Sequence, residues 1–107
     1  MRSLHLLPLS FAVWAGIASA QDLPGDPAVG GQLARDVCAT CHVISEDQVD
    51  DPGVGAPTFF EVVAHPSVTA LSLRGFLQTP HATMPDLMLT QEETDDIISY
   101  LLTLRGT

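Results

Sequence analysis

The chain has 107 residues with four Arg, no Lys and thirteen Asp plus Glu, which gives a formal charge of −9. Four cations are too few to neutralise nucleic-acid phosphates, so the composition excludes a nucleic-acid-binding protein. A hydrophobic content of 46% with only 16% charged residues excludes a disordered chain, and two Cys are too few for a disulfide framework. The length fits one folded domain.

Residues 1–20 have the pattern of a secretory leader: a basic head at Arg2, an apolar run over about residues 6–17, and a small-x-small cleavage site ending at Ala20. The apolar run is shorter than the ~20 residues that span a bilayer, which argues against an uncleaved anchor. We predict cleavage after Ala20. The mature chain then has a charge of −10, because Arg2 leaves with the leader. It keeps only four aromatic residues, and so small a core usually needs a disulfide or metal staple.

The mature chain begins with a segment rich in Pro and Gly, residues 21–27, which we expect to be a flexible lead-in. Apolar residues at four-residue intervals predict a helix over residues 28–41. Gly30 and Gly31 weaken that helix by about 1 kcal/mol each relative to Ala, so we expect them to serve close packing. An acidic loop with two Gly and two Pro follows over residues 43–57.

The remaining elements are two short helices, an irregular segment and a longer helix, predicted over residues 59–65, 69–77, 79–89 and 90–105. Thr90 and Glu93 form a capping box at the start of the last helix. Arg105 and Gly106 give that helix a cationic last turn and a stop. No persuasive strand alternation is present, so we predict a single all-α domain, residues 28–107, of about four helices.

The chemistry-bearing motif is Cys-Ala-Thr-Cys-His, in which Cys38, Cys41 and His42 project on one side of a helical turn. This geometry suits covalent c-type haem attachment, with both sulfurs as thioethers and the imidazole as an iron ligand. Three alternatives are weaker. A disulfide across two residues stabilises little, a thiol–disulfide oxidoreductase needs a βαβ context, and a zinc site needs a fourth ligand.

The sixth iron ligand has four candidates in the mature chain, namely Met84, Met88, His65 and His81. Met84 precedes a proline, which favours an extended backbone and places the thioether on a fixed loop. We expect Met88 to fill a gap in the core. His81 fits a loop position or a contact with a haem propionate, and His65 fits a helix end. Met84 is therefore the favoured ligand, and His/Met ligation raises the iron potential.

On these residues the sequence resembles the class I c-type cytochromes over residues 29–104, including the stretch Leu-Arg-Gly-Phe-Leu-Gln-Thr-Pro-His-Ala-Thr-Met-Pro and the last helix. The resemblance implies a cytochrome c-like domain around one covalent haem c, with His42 and Met84 as axial ligands. It also implies that the Pro57 carbonyl holds His42, and that Gly30 and Tyr100 serve the crossing of the first and last helices.

Two departures from that family matter. Ala34 stands where an aromatic residue often lies one turn before the first Cys, and the lysine ring that some members present to partners is absent, because the chain has no Lys.

The leader predicts export to the periplasm. The resemblance implies a monomeric one-electron carrier with no enzyme activity of its own. Two other functions stay open: a cytochrome subunit of a periplasmic dehydrogenase complex, and a ligand-sensing haem protein in which Met84 is displaced. The charge of −10 predicts redox partners with a basic docking patch, which would meet the acidic clusters at residues 46–51 and 92–96. A solvated loop and helix cap explain those clusters equally well.

Overall fold

The structure, a computed structural model, describes residues 1, 3, 5, 7–13, 16, 23–81 and 83–106. Its helical elements are α1 Pro27–Val37, a 3₁₀ turn Cys38–Thr40, α2 Phe59–Ala64, α3 Ala70–Leu77 and α4 Gln91–Thr103. No strand occurs within these described ranges, and the predicted all-α fold with four helices is confirmed. None of the described helices is both long and apolar enough to cross a membrane.

Each helix begins at a side chain that accepts its free N–H groups. Asp26 accepts from Ala28 N at 2.8 Å and Val29 N at 3.4 Å, and Pro27, whose nitrogen has no hydrogen to donate, occupies the first helical position. The predicted capping box of α4 is present, with Thr90 N donating to Glu93 Oε2 at 2.8 Å and Glu93 N donating to Thr90 Oγ1 at 3.1 Å. Two further boxes, Thr58 with Glu61 and Thr69 with Ser72, begin α2 and α3.

The first and last helices cross at two adjacent glycines. A methyl group at Gly30 would collide with the backbone carbonyl of Asp96 and stand 3.0 Å from Ile97 N. At Gly31 it would stand 3.1 Å from the ring of Tyr100. The absence of a side chain at both positions therefore allows α1 to lie directly against α4, with Tyr100 covering the second glycine.

The described end of the segment predicted as a flexible lead, residues 23–26, lies along α4. Asp26 N donates to Asp96 Oδ1 at 2.7 Å, and Ser99 Oγ donates to Pro24 O at 2.9 Å. Gly25 has φ +106 and approaches the Asp95 carbonyl closely. These bonds join residues 24–26 to α4 through partners seventy or more positions away. The flexibility expected of the lead-in stays a prediction. Residues 21 and 22 lie outside the described residues.

A small apolar core fills the space between the helices. Its buried members are Ala34, Cys38, Ile44, Phe59, Val63, Leu73, Ile97, Ile98 and Leu101. Arg74 of α3 pairs with Asp95 of α4. Arg105 donates through Nε to Val63 O at 3.0 Å and through Nη2 to Val68 O at 2.5 Å. Arg105 therefore joins the end of α4 to the end of α2. It lies beyond α4, which ends at Thr103, so the predicted cationic last turn is absent.

Two further predictions differ from the structure. The first helix ends at Val37 instead of residue 41, because the chain tightens into the 3₁₀ turn at the cysteine motif, as helix ends often do. Met88 is 86% exposed and adopts φ +50, so its expected place in the core is wrong. Its N–H bonds to Asp86 Oδ1 at 3.0 Å, a local turn that directs the chain into α4.

The predicted leader is described only in part, and its cleavage site at residues 18–20 lies wholly outside the described residues. Its described residues 7–13 are exposed to solvent. Leader cleavage stays a prediction.

Candidate functional site: the cysteine–histidine turn and the methionine loop

The cysteine motif begins in the 3₁₀ turn that follows α1. The carbonyl of Cys38 accepts from Cys41 N at 3.1 Å and from His42 N at 2.9 Å, so the whole motif wraps around one backbone oxygen. Both thiols are free, Cys38 buried and Cys41 half-buried. Burial raises the pKa of the Cys38 thiol to about 11, because the apolar surroundings disfavour the thiolate.

This arrangement bears on the alternatives that the motif left open. The free thiols form no disulfide. Among the described residues, no three side chains of His, Cys, Asp or Glu converge as a metal-binding group, whereas zinc requires its ligands around one point. A c-type haem makes a different demand, since its thioethers form at separate substituents of a macrocycle. Two free thiols followed directly by one imidazole fit the thioether and iron-ligand roles that a c-type haem requires.

The imidazole of His42 is held by the residue that the family resemblance pointed to. Its Nδ1 lies 2.6 Å from Pro57 O, and because a carbonyl can only accept, Nδ1 carries the proton. In the neutral ring this leaves the lone pair on Nε2, the nitrogen available to a metal. Such a bond fixes the tautomer and raises the basicity of the ligand.

The Pro57 carbonyl is itself fixed by its neighbours. The next residue, Thr58, is the N-cap of α2, and Phe59 N donates to Val43 O at 2.9 Å. The Phe59 ring also lies against the imidazole of His42, with centroids 5.5 Å apart. Pro57 thus stands between a helix start and a backbone bond to the residue after the motif, and these contacts hold its carbonyl against the imidazole.

The loop that leaves His42 is organised by two side chains that the sequence did not single out for this purpose. The Gln48 amide accepts from Ile44 N at 2.8 Å and donates to His42 O at 3.2 Å and Asp50 O at 2.8 Å. Tyr100 Oη donates to Ile44 O at 2.7 Å. Both backbone groups of the buried Ile44 are therefore satisfied, and Tyr100 serves the motif loop as well as the helix crossing.

The candidate sixth ligands lie in different surroundings. Met84 is half-buried in the loop between α3 and α4, whereas Met88 is almost fully exposed. His65 Nδ1 accepts from Ser67 N at 3.3 Å and lies 2.7 Å from Ser67 Oγ. His81 Nε2 donates to Phe76 O at 2.7 Å. Both histidines thus have local partners, and of the two thioethers that of Met84 is the less exposed.

The two acidic clusters differ in what their side chains do. In the second cluster, Glu93 belongs to a capping box, Asp95 pairs with Arg74, and Asp96 is buried and accepts from Asp26 N. These three carboxylates are engaged within the domain, and Glu92 is the exposed acid that remains there. The second cluster is therefore mainly structural.

The first cluster presents its charges to solvent. Its exposed acids are Glu46, Asp47, Asp50 and Asp51. A hydrogen bond from Ser45 lowers the pKa of Asp47, so this carboxylate stays charged. Asp51 Oδ1 accepts from Gly53 N at 2.9 Å, which orders the end of the loop. The negative surface of the motif region therefore lies on the loop that Gln48 braces.

The chain is 32% identical over 102 residues to a curated protein, cytochrome c-552 of Bradyrhizobium diazoefficiens. The alignment covers 95% of this chain and 97% of that relative. No family model matches the chain. No solved structure gives a significant match.

Proposed function

Because this chain belongs to the c-type cytochromes, we propose that it is a one-electron carrier with one covalent haem c, held by His42 and Met84. When bound, the haem supplies an Fe(III)/Fe(II) couple. The observation that carries the proposal is the 2.6 Å contact between His42 Nδ1 and Pro57 O, directly after two free cysteines. It supports an imidazole prepared to give its other nitrogen to iron.

The chain's own residues would hold the haem at three points. Cys38 and Cys41 would form the thioethers, each S–H adding across the C=C bond of a vinyl group, with the sulfur bonding to one carbon and the hydrogen to the other. His42, oriented by Pro57, and Met84 would be the two iron ligands from the protein. Since His/Met ligation raises the potential, such a centre suits transfer between a donor and an acceptor.

The residues around the motif would keep the ligand geometry constant while the iron changes charge. Gln48, Tyr100 and Phe59 brace the chain on both sides of His42 through the hydrogen bonds and ring contact given above. A braced ligand moves little when an electron arrives or leaves, and preorganised surroundings lower the cost of the transfer. With both His42 and Met84 bound to it, the iron would offer no position to a substrate, which supports a carrier rather than an enzyme.

Absorption spectra of the purified protein, oxidised and reduced, test this proposal. We expect a haem spectrum that stays with the chain after denaturation, together with a weak far-red sulfur-to-iron band in the oxidised form. Met84→Ala should abolish that band, and the matched control Met88→Ala should keep it. Loss of the band in the Met88 variant alone would overturn the ligand assignment.

Two outcomes would favour the other functions. Ready binding of carbon monoxide to the reduced protein at neutral pH would support a sensing haem with a displaceable Met84. Stable co-purification with a larger dehydrogenase subunit would support a place in an enzyme complex.

We propose further that the carrier works in the periplasm as a monomer and docks through the loop at residues 46–51. The exposed acids there, together with the 95% exposed Val49, would offer a basic partner both charge and a small apolar contact. Electron transfer with a cationic redox protein should slow several-fold between about 0.01 M and 0.15 M salt, as the Debye length shrinks from ~30 to ~8 Å.

The double variant Glu46→Gln/Asp50→Asn removes two charges whose side chains lie on this loop, and it should flatten the salt dependence. Asp36→Asn on α1, where Asp36 accepts from the nearby Gln32, removes one charge outside this loop and should keep the salt dependence close to that of the wild type. An unchanged salt dependence in the double variant would place docking elsewhere.

A further inference from the structure

The loop between α3 and α4 carries the proposed ligand Met84, and its first residues are tied back to α3. Thr79 Oγ1 donates to Gly75 O at 2.6 Å, and His81 Nε2 donates to Phe76 O at 2.7 Å. His81 is the tie closer to Met84, only three positions before it. The contact between His81 and Phe76 therefore fixes the start of the segment that carries Met84.

His81 makes two contacts with Phe76, which together we call the clasp. Besides the hydrogen bond to the Phe76 carbonyl, its imidazole stacks on the Phe76 ring, with centroids 3.7 Å apart and ring planes inclined by 22°. The ring contact fixes the orientation of the imidazole, and the hydrogen bond fixes its position along the helix end. Because the acceptor is a carbonyl, Nε2 bears the proton and cannot coordinate a metal in this arrangement.

We propose that His81 is a positioning residue that holds the Met84 thioether near the iron by clasping the end of α3. The proposal rests on the proposed function, in which Met84 is an axial ligand. On the far side of Met84, Pro85 restricts the backbone of the methionine to an extended form. Met84 thus lies in a short segment between His81, which contacts α3, and Pro85, which restricts the backbone.

The clasp would lower the released fraction, which is the fraction of molecules in which Met84 has left the iron. An external ligand can bind only when Met84 has left, so its apparent dissociation constant varies inversely with the released fraction. Opening the clasp raises that fraction. Loss of one hydrogen bond of this kind should increase it about threefold to tenfold.

Imidazole is the probe, titrated into the oxidised holoprotein and followed by loss of the far-red sulfur-to-iron band. His81→Ala should lower the apparent dissociation constant for imidazole about threefold to tenfold. The matched control is His65→Ala, since His65 bonds to Ser67 within its own turn. The control should bind imidazole like the wild type.

Two conservative variants separate the two contacts of the clasp. His81→Phe keeps a ring to stack on Phe76 but has no donor, and His81→Gln keeps a donor without the aromatic ring. We expect each to fall between the wild type and His81→Ala. They also decide the matter if the alanine variant does not fold.

The outcomes distinguish this inference from the proposed function. A wild-type protein without the sulfur-to-iron band would refute Met84 ligation, and the clasp with it. A normal band with unchanged imidazole affinity in the His81 variants would leave the carrier function standing and refute the clasp alone. A lower melting temperature without any change in imidazole affinity would also refute it, because it would show a merely structural role.

Discussion

Replacing Gly30 by alanine tests the contact that joins the two ends of the domain. In an exposed helix, alanine at a glycine position stabilises by about 1 kcal/mol. At Gly30 the new methyl group would meet the backbone carbonyl of Asp96. A backbone carbonyl, unlike a flexible side chain, cannot rotate out of the way. The clash is therefore removed only if α1 moves away from α4. Overpacking of this kind lowers the free energy of unfolding by about 1–3 kcal/mol, and we expect the upper end of this range here.

The net expectation for Gly30→Ala is a loss of about 2 kcal/mol, which in a domain of this size lowers the melting temperature by about 10 °C. Gly75→Ala is the matched control, because Gly75 also lies in a helix but a methyl group there meets nothing within 4 Å. The control should gain about 1 kcal/mol. Gly31→Ala should fall between the two, since the Tyr100 ring can shift.

Thermal unfolding of the haem-loaded protein, followed by far-ultraviolet circular dichroism, measures all three variants. A Gly30→Ala protein as stable as Gly75→Ala would refute the reasoning. Such a result would mean that α1 can pack against α4 even with a side chain at position 30.

The other predictions concern the loop after the cysteine motif. Tyr100→Phe leaves the buried Ile44 carbonyl without its donor and should cost about 1–2 kcal/mol in guanidinium unfolding; a cost near zero would show that water replaces the hydroxyl. Burial raises the pKa of Tyr100 above its ordinary value of 10.0, so the folded state binds more protons than the unfolded state and stability should fall as pH rises above about 10. The measurement uses the haem-loaded protein, in which the proposed thioethers leave Cys38 and Cys41 without a titrating thiol. Since the chain has no Lys and one Tyr, Tyr100→Phe should then remove most of that fall, and an unchanged slope would contradict the assignment. Gln48→Ala breaks three hydrogen bonds and should lower the free energy of unfolding by about 2 kcal/mol. The control Gln78→Ala, at an exposed position, should change it by less than about 0.5 kcal/mol. Equal effects of the two variants would show that Gln48 does not brace the loop.

The features that the sequence predicted well depend on residues close together in the chain. The capping box of α4 needs only Thr90 and Glu93, three positions apart, and it is present as expected. The cysteine motif likewise forms its turn within five residues. The family resemblance added two distant pairings, and the structure brings Pro57 to His42 and Gly30 to α4.

The features that the sequence missed depend on partners far along the chain. A glutamine in an acidic loop carries no local sign that it will bond to three backbone groups, as Gln48 does. The acids after Thr90 read as a charged surface, because nothing in the sequence indicates that Asp95 meets Arg74 or that Asp96 meets Asp26. Composition counts charges, and only tertiary contacts show which of them remain free.

The bond from Asp26 to Asp96 closes a loop of seventy positions, and both the cysteine turn and the Met84 loop lie inside it. The entropy of closing so long a loop depends weakly on its length, since even a doubling costs only about 0.6 kcal/mol. Insertions between α1 and α2, or between α3 and α4, therefore place little load on the helix crossing. The loop at residues 46–51, proposed to dock partners, and the segment proposed to carry the iron ligand could therefore change length while the same two helices keep the domain closed.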